Sequence, residues 1–185
     1  MKKSIKLLFI IVVIFSTQFA KSQSKIPPTP DYNYVVMLYD TVNNTISALE
    51  EGAINSRTKF NLLNPLAPMK NQFSLKNKSS NIIITKGTPL TFLVKLPTAD
   101  DNPVQIFDFR ILEQKGNKRI ATFTVIRKFF LAKSPIKPID NGINLLFKKI
   151  SDKLIMITID GTLKSGEYAF TYYSYFGAFA FRITD

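Results

Sequence analysis

Near the C-terminus, Leu163-Lys164-Ser165-Gly166-Glu167-Tyr168-Ala169-Phe170 constrains the fold more tightly than any other stretch. A Leu, two residues, a Gly, one residue and a Tyr opening a β-strand is the spacing of a tyrosine corner. In that device the Tyr hydroxyl returns to backbone a few residues upstream and pins the crossing between two packed sheets. The rival reading is an ordinary Gly turn before a strand. Gly166, Tyr168 and Phe170 are therefore expected to be structural, with Phe170 in the core where antibody domains place their second cysteine. Successive side chains alternate across a strand, which sorts the faces. Tyr168, Phe170 and Tyr172 should point inward, as should Phe179, Phe181 and Ile183 of the last strand, with Phe176-Gly177 as the turn. Glu167, Ala169, Thr171, Tyr173 and Tyr175 should point outward, and Ala178, Ala180, Arg182 and Thr184 lie opposite the inward row of theirs.

The rest of the chain repeats this grammar of short β-prone runs closed by turn formers. Tyr34–Tyr39, Thr45–Leu49, Asn81–Thr85, Thr91–Leu96, Val104–Leu112, Arg119–Val125, Ile143–Lys148 and Lys153–Asp160 read as strands. Lys115-Gly116-Asn117 reads as a hairpin turn, Glu50-Glu51-Gly52 as a strand end, and Asn61–Lys70, with Pro65 and Pro68, as loop. No window of twelve or more residues carries a capped helical apolar period. The expected fold is all-β, an immunoglobulin-like antiparallel β-sandwich, with a small closed β-barrel as the alternative.

At the other end, Lys2, Lys3 and Lys6 precede an unbroken apolar run from Leu7 to Phe15, and Ala20-Lys21-Ser22 offers small residues at a peptidase site. These are the parts of a secretory signal. The run is about half of the roughly 20 residues that a spanning helix needs. Residues 1–22 are expected to be cleaved, 23–31 to form a Pro-rich spacer through Pro27, Pro28 and Pro30, and 32–185 to form one domain without a transmembrane helix. The expected location follows: export by the general secretory route to a periplasmic or extracellular space. Without any Cys the chain is not a lipoprotein and has no disulfides, so its Phe and Tyr, sixteen and seven in the full sequence, must supply its stability by packing. Removing 22 residues leaves 163, and the four lysines lost reduce the formal charge from +12 to +8. The lysines are scattered along the sequence, with no run of them.

The chain has no His and no Cys, which removes Ser-His-Asp and Cys-His catalysis and the usual zinc ligands. Carboxylate chemistry remains, with Glu50, Glu51, Asp100, Asp101, Asp108, Asp160 and Glu167 as candidates for a glycosidase pair. Adjacent acids on a strand point to opposite faces, so neither doublet forms a pair by itself. A calcium site at Ala99-Asp100-Asp101-Asn102-Pro103 lacks the spaced ligand pattern, and a polar turn is the expectation. No catalytic residue, cofactor or metal is expected.

Three stretches carry a resemblance: Tyr34–Tyr39, Phe92-Leu93-Val94-Lys95-Leu96, and Gly166-Glu167-Tyr168-Ala169-Phe170 with its aromatic-Gly turn. The chain resembles a broad group of small uncharacterised exported bacterial proteins, in which a Pro commonly stands where this chain has Ser165. The resemblance implies a β-sandwich and export, and brings no activity with it. The leading functional expectation is a non-catalytic binding or assembly module at the cell envelope. It would engage glycan or another exported protein through Tyr173, Tyr175 and Phe176. The alternatives are an electrostatic binder of anionic envelope polymer and a carboxylate-dependent glycan hydrolase acting through Asp160 and Glu167. Nucleic acid is not an expected partner.

Overall fold

The structure is a computed structural model that describes residues 26–59, 69–126, 136–138, 142–172 and 177–185. The expected signal segment falls outside these residues. Within 26–31 there is no regular element, as three prolines dictate, yet the segment is packed down: Pro30 is fully buried and the Ile26 carbonyl accepts from Asn44 Nδ2 at 3.3 Å.

The described residues form an all-β sandwich of two sheets, mainly antiparallel. The smaller sheet is built from β1 (Val36–Asp40), β2 (Thr45–Ala48), β7 (Thr91–Lys95), β11 (Asn144–Lys149) and β12 (Leu154–Asp160), in the order β11-β12-β7-β1-β2. The larger sheet uses β3 (Glu50–Ala53), β4 (Asn55–Lys59), β5 (Met69–Lys76), β8 (Phe107–Lys115), β9 (Lys118–Ile126), β13 (Gly166–Tyr172) and β14 (Gly177–Thr184). Their order is β3-β14-β13-β8-β9-β5-β4. Two short strands lie off this path: β6 (Ile83–Thr85) runs parallel to β14, and β10 (Ile136–Pro138) pairs with β9. A single helical turn, α1 (Pro103–Ile106), leads into β8, with Asn102 as its cap and Pro103 at its first position.

Between the sheets lies the main core. Tyr168, Phe170, Phe179, Phe181 and Ile183 all point into it, as their alternation requires, and meet Phe92, Val94, Ile155 and Ile157 of the smaller sheet. Phe92 packs edge-on against Phe170, with ring centroids 4.8 Å apart, and Phe109 lies 4.7 Å from Phe170. The Tyr168 hydroxyl donates to the Lys164 carbonyl at 2.8 Å, the bond that the Leu-x-x-Gly-x-Tyr spacing anticipates.

One expectation needs correcting. Glu167, Ala169, Thr171, Ala178 and Ala180 do face away from the main core, but they are buried rather than solvated. The cause is the path of the larger sheet. β3 and β4 are consecutive, separated only by Ile54, yet they stand at its two ends: β3 pairs with β14 and β4 with β5. The sheet therefore rolls up until one bent strand closes it, and the back of β13 and β14 becomes the wall of a second interior. Phe73, Leu75, Leu112 and Ala121 fill that interior against Ala169, Ala178 and Ala180. Small side chains permit the close approach. Gly52 is part of it, since a Cβ there would stand 3.2 Å from Leu75 Cδ2. The strands that close this interior, β3, β4 and β5, fall where the sequence reading places a strand end or loop, or assigns no element.

Candidate anion-binding surface

The rolled part of the larger sheet sorts charge by strand alternation. Arg119 sits on β9 between Ile120 and Lys118, opposite Leu75 of β5 and Gln114 of β8, so its side chain enters the second interior. It is 0% exposed. Its Nη1 donates to Glu50 Oε2 at 3.2 Å and to Glu167 Oε2 at 3.4 Å, and its Nη2 donates to Glu50 Oε1 and to the Lys76 carbonyl at 3.0 Å. Glu167, 2% exposed, also accepts from the Ser80 backbone N–H at 3.0 Å and from Gln114 Nε2 at 3.5 Å. The Arg182 guanidinium stands 3.7 Å from its other oxygen. A charge costs several kcal/mol to bury unless it is paired and hydrogen-bonded, and here each is. Two of the candidate carboxylates, Glu50 and Glu167, are thus brought together, but across a guanidinium. That arrangement holds strands in register and leaves no room for a sugar between the acids.

The residues one step out of phase face the other way; at one end of this face they are basic, and farther along Ser74, Ile120 and Gln72 are uncharged and buried. Lys76 of β5 is in register with Lys118 of β9, and Lys118 is in register with Lys115 of β8. Directly opposed residues share one face, with neighbouring strands about 4.8 Å apart, so three lysines stand in a row across three strands. All three are exposed, as is Lys78 just beyond β5. Lys115 is partly neutralised by Glu113, at 2.8 Å, whose carboxyl that lysine holds below its usual range. Further along the same face of the sheet come Arg57, opposite Gln72, and Lys70, opposite Lys59. From Lys70 to Lys76 is roughly 20 Å along β5. Like charges placed directly opposite one another cost stability unless an anion bridges them. Scattered in sequence, these lysines are gathered in space by the pairing.

The other candidate residues are disposed differently. Tyr173, Tyr175 and Phe176 lie outside the described residues. Asp108 is bound to Arg110 Nε at 2.6 Å and, with Asp160, lines a groove of about 540 Å³ between β8 and β11. Glu167 lines a separate cavity of about 370 Å³ with Gln114, Arg182 and Asp185, so the acids Asp160 and Glu167 do not share a site. Asp101 Oδ2 accepts from the Thr98 N–H at 3.2 Å, and Asn102 Oδ1 accepts from the Val104 N–H at 3.1 Å, which makes Ala99–Pro103 a capped polar turn. Among the described residues no three or more acids gather as a metal centre would require, and no helix is long and apolar enough to cross a membrane. A third cavity, of about 350 Å³, opens at one end of the sandwich and is lined by Thr85, Lys86, Thr88, Thr158 and Thr162.

No known protein family, curated protein or solved structure matches the chain.

Proposed function

We propose that the protein is a non-catalytic binding module of the cell envelope that holds an anionic polymer along the outer face of β4, β5, β8 and β9. The observation that carries this reading is the row of exposed lysines Lys76, Lys118 and Lys115, in register on three adjacent strands. Lys70 and Arg57 add positive charge farther along β5 and β4, beyond the buried Ser74 and Gln72. The row spans three strands, about 10 Å, and is suited to the phosphate, sulfate or carboxylate groups of an anionic polymer. Location at the envelope is supported by the signal-like N-terminus and by the resemblance to exported proteins.

The test is binding of dextran sulfate, with uncharged dextran as control, measured by titration calorimetry across a salt series. The protein should bind the sulfated polymer only, and affinity should fall steeply as salt rises, because exposed charges are screened over about 8 Å at physiological ionic strength. Lys76→Glu with Lys118→Glu should weaken binding at least about tenfold at low salt while the protein stays folded by circular dichroism. Equal affinity for both dextrans, or binding indifferent to the two substitutions, would refute the reading.

A further inference from the structure

The smaller sheet ends in a strand that is unlike the polar edge β4. β11 reads Asn144-Leu145-Leu146-Phe147-Lys148-Lys149 and pairs, among the described residues, with β12 alone. Its second backbone edge is a six-residue template without a proline, and such edges pair with other strands unless they are blocked. Leu145 and Phe147 turn inward and pack against the main core, while Leu146 points outward and is 54% exposed. Beside this edge lies the groove over β8, lined by Phe107, Phe109, Leu145 and Phe147 together with the charged Asp108 and Asp160, so the sandwich is incompletely closed where β11 ends it.

We infer that β11 pairs with β11 of a second copy of this chain, antiparallel and about a two-fold axis through Leu146. Register follows from the alternation of faces. In a two-fold pair the inward rows of both copies lie on the same side of the joined sheet, so only residues of like parity can oppose one another. An axis at Leu146 then sets Leu146 against its own copy, Leu145 against Phe147, and Asn144 against Lys148. The exposed leucine gains an apolar neighbour, and the inward pair Leu145 and Phe147 of the second copy lies beside the groove. Charge agrees with the same register. Asn144 is in register with Asp160 on β12, and both are exposed on the face that carries Lys148. Lys148 of one copy therefore stands two strands, about 10 Å, from Asp160 of the other, within reach of an extended lysine. The pairing makes two such contacts by symmetry. The neighbouring Lys149 is already engaged by Asp152 at 3.2 Å and takes no part.

Sedimentation equilibrium of the protein from micromolar to millimolar concentration tests the pairing. A reversible dimer is expected. Leu146→Lys puts two cations face to face on the axis and should weaken dimerisation at least about tenfold, with unfolding of the dilute monomer unchanged because the side chain is exposed. Mixing Leu146→Lys with Leu146→Glu should restore a heterodimer, which loss of folding could not do. A monomer at every concentration would overturn the inference and leave Lys148 and Lys149 as charges that block the edge. So would a dimer untouched by Leu146→Lys.

Discussion

Two side chains fix how the strands lie on one another, and each makes a different prediction. The Tyr168 hydroxyl is buried and tied to the Lys164 carbonyl, and burial raises its pKa above the ordinary value of 10.0. Tyr168→Phe removes the bond and leaves a carbonyl with one partner fewer, which should cost about 1 kcal/mol in urea unfolding at pH 7. A raised phenol pKa means that the folded state favours the neutral hydroxyl. Its contribution is full below the unfolded value of about 10 and is lost as pH rises through the folded one. Urea midpoints between pH 9 and 11 should therefore fall more steeply for the native protein than for the Phe variant. Arg119 acts by compensation instead. Arg119→Met strands the carboxylates of Glu50 and Glu167 in the second interior and should destabilise by about 3–5 kcal/mol. Adding Glu50→Gln and Glu167→Gln should recover much of that loss, a result that chemical denaturation of the triple variant would show. The Tyr was legible in the sequence because its spacing is a local pattern. The Arg was not, because its two partners lie at Glu50 and Glu167, on β3 and β13, far from β9 along the chain.

At the level of elements, the strands of the main core announced themselves and those of the roll did not. Thr91–Lys95 and Leu154–Asp160 are buried on both faces or nearly so, and they read as continuous β-branched and apolar runs. β3 and β4, by contrast, are Glu-Glu-Gly-Ala and Asn-Ser-Arg-Thr-Lys, sequences that carry turn formers and charge. They become strands because β14 and β5 offer them partner edges, a tertiary cause that no local window contains. One signal was present. On the back of β13 and β14 Ala169, Ala178 and Ala180 stand together beyond the Glu167–Arg182 pair, and a cluster of alanines on a supposed solvent face marks a close approach. Phe73 and Leu75, alternating with Gln72 and Ser74, are the matching half. Ala180→Leu should accordingly overpack the second interior and cost about 1–3 kcal/mol, where a truly exposed alanine would tolerate the change within about 0.5 kcal/mol. Thermal unfolding followed by circular dichroism measures the difference.

Across the described residues both sheets carry charges of both signs, and the basic excess lies on the larger one. The acids Asp31, Asp40, Asp100, Asp101, Asp152 and Asp160 belong to the smaller sheet and its loops. The larger sheet carries acids as well, Glu50 and Glu51 on β3, Asp108 and Glu113 on β8 and Glu167 on β13, and of these Glu113 stands beside the exposed Lys76, Lys115 and Lys118. A net charge of +12 for the full sequence conveys none of this arrangement. It arises because rolling the sheet turns one row inward, where Arg119 meets its carboxylates, and the next row outward, where the lysines meet water. The proposed binding face therefore exists only if the roll does. The chain has no native Cys, so Ala169→Cys creates a protein with one thiol on the back of β13, at a position 0% exposed. The measurement is the rate at which that thiol reacts with a chromogenic disulfide reagent in the native protein and in denaturant. A closed roll predicts a thiol that stays inert until the protein unfolds, whereas prompt stoichiometric labelling of the native protein would mean that the back of β13 faces water.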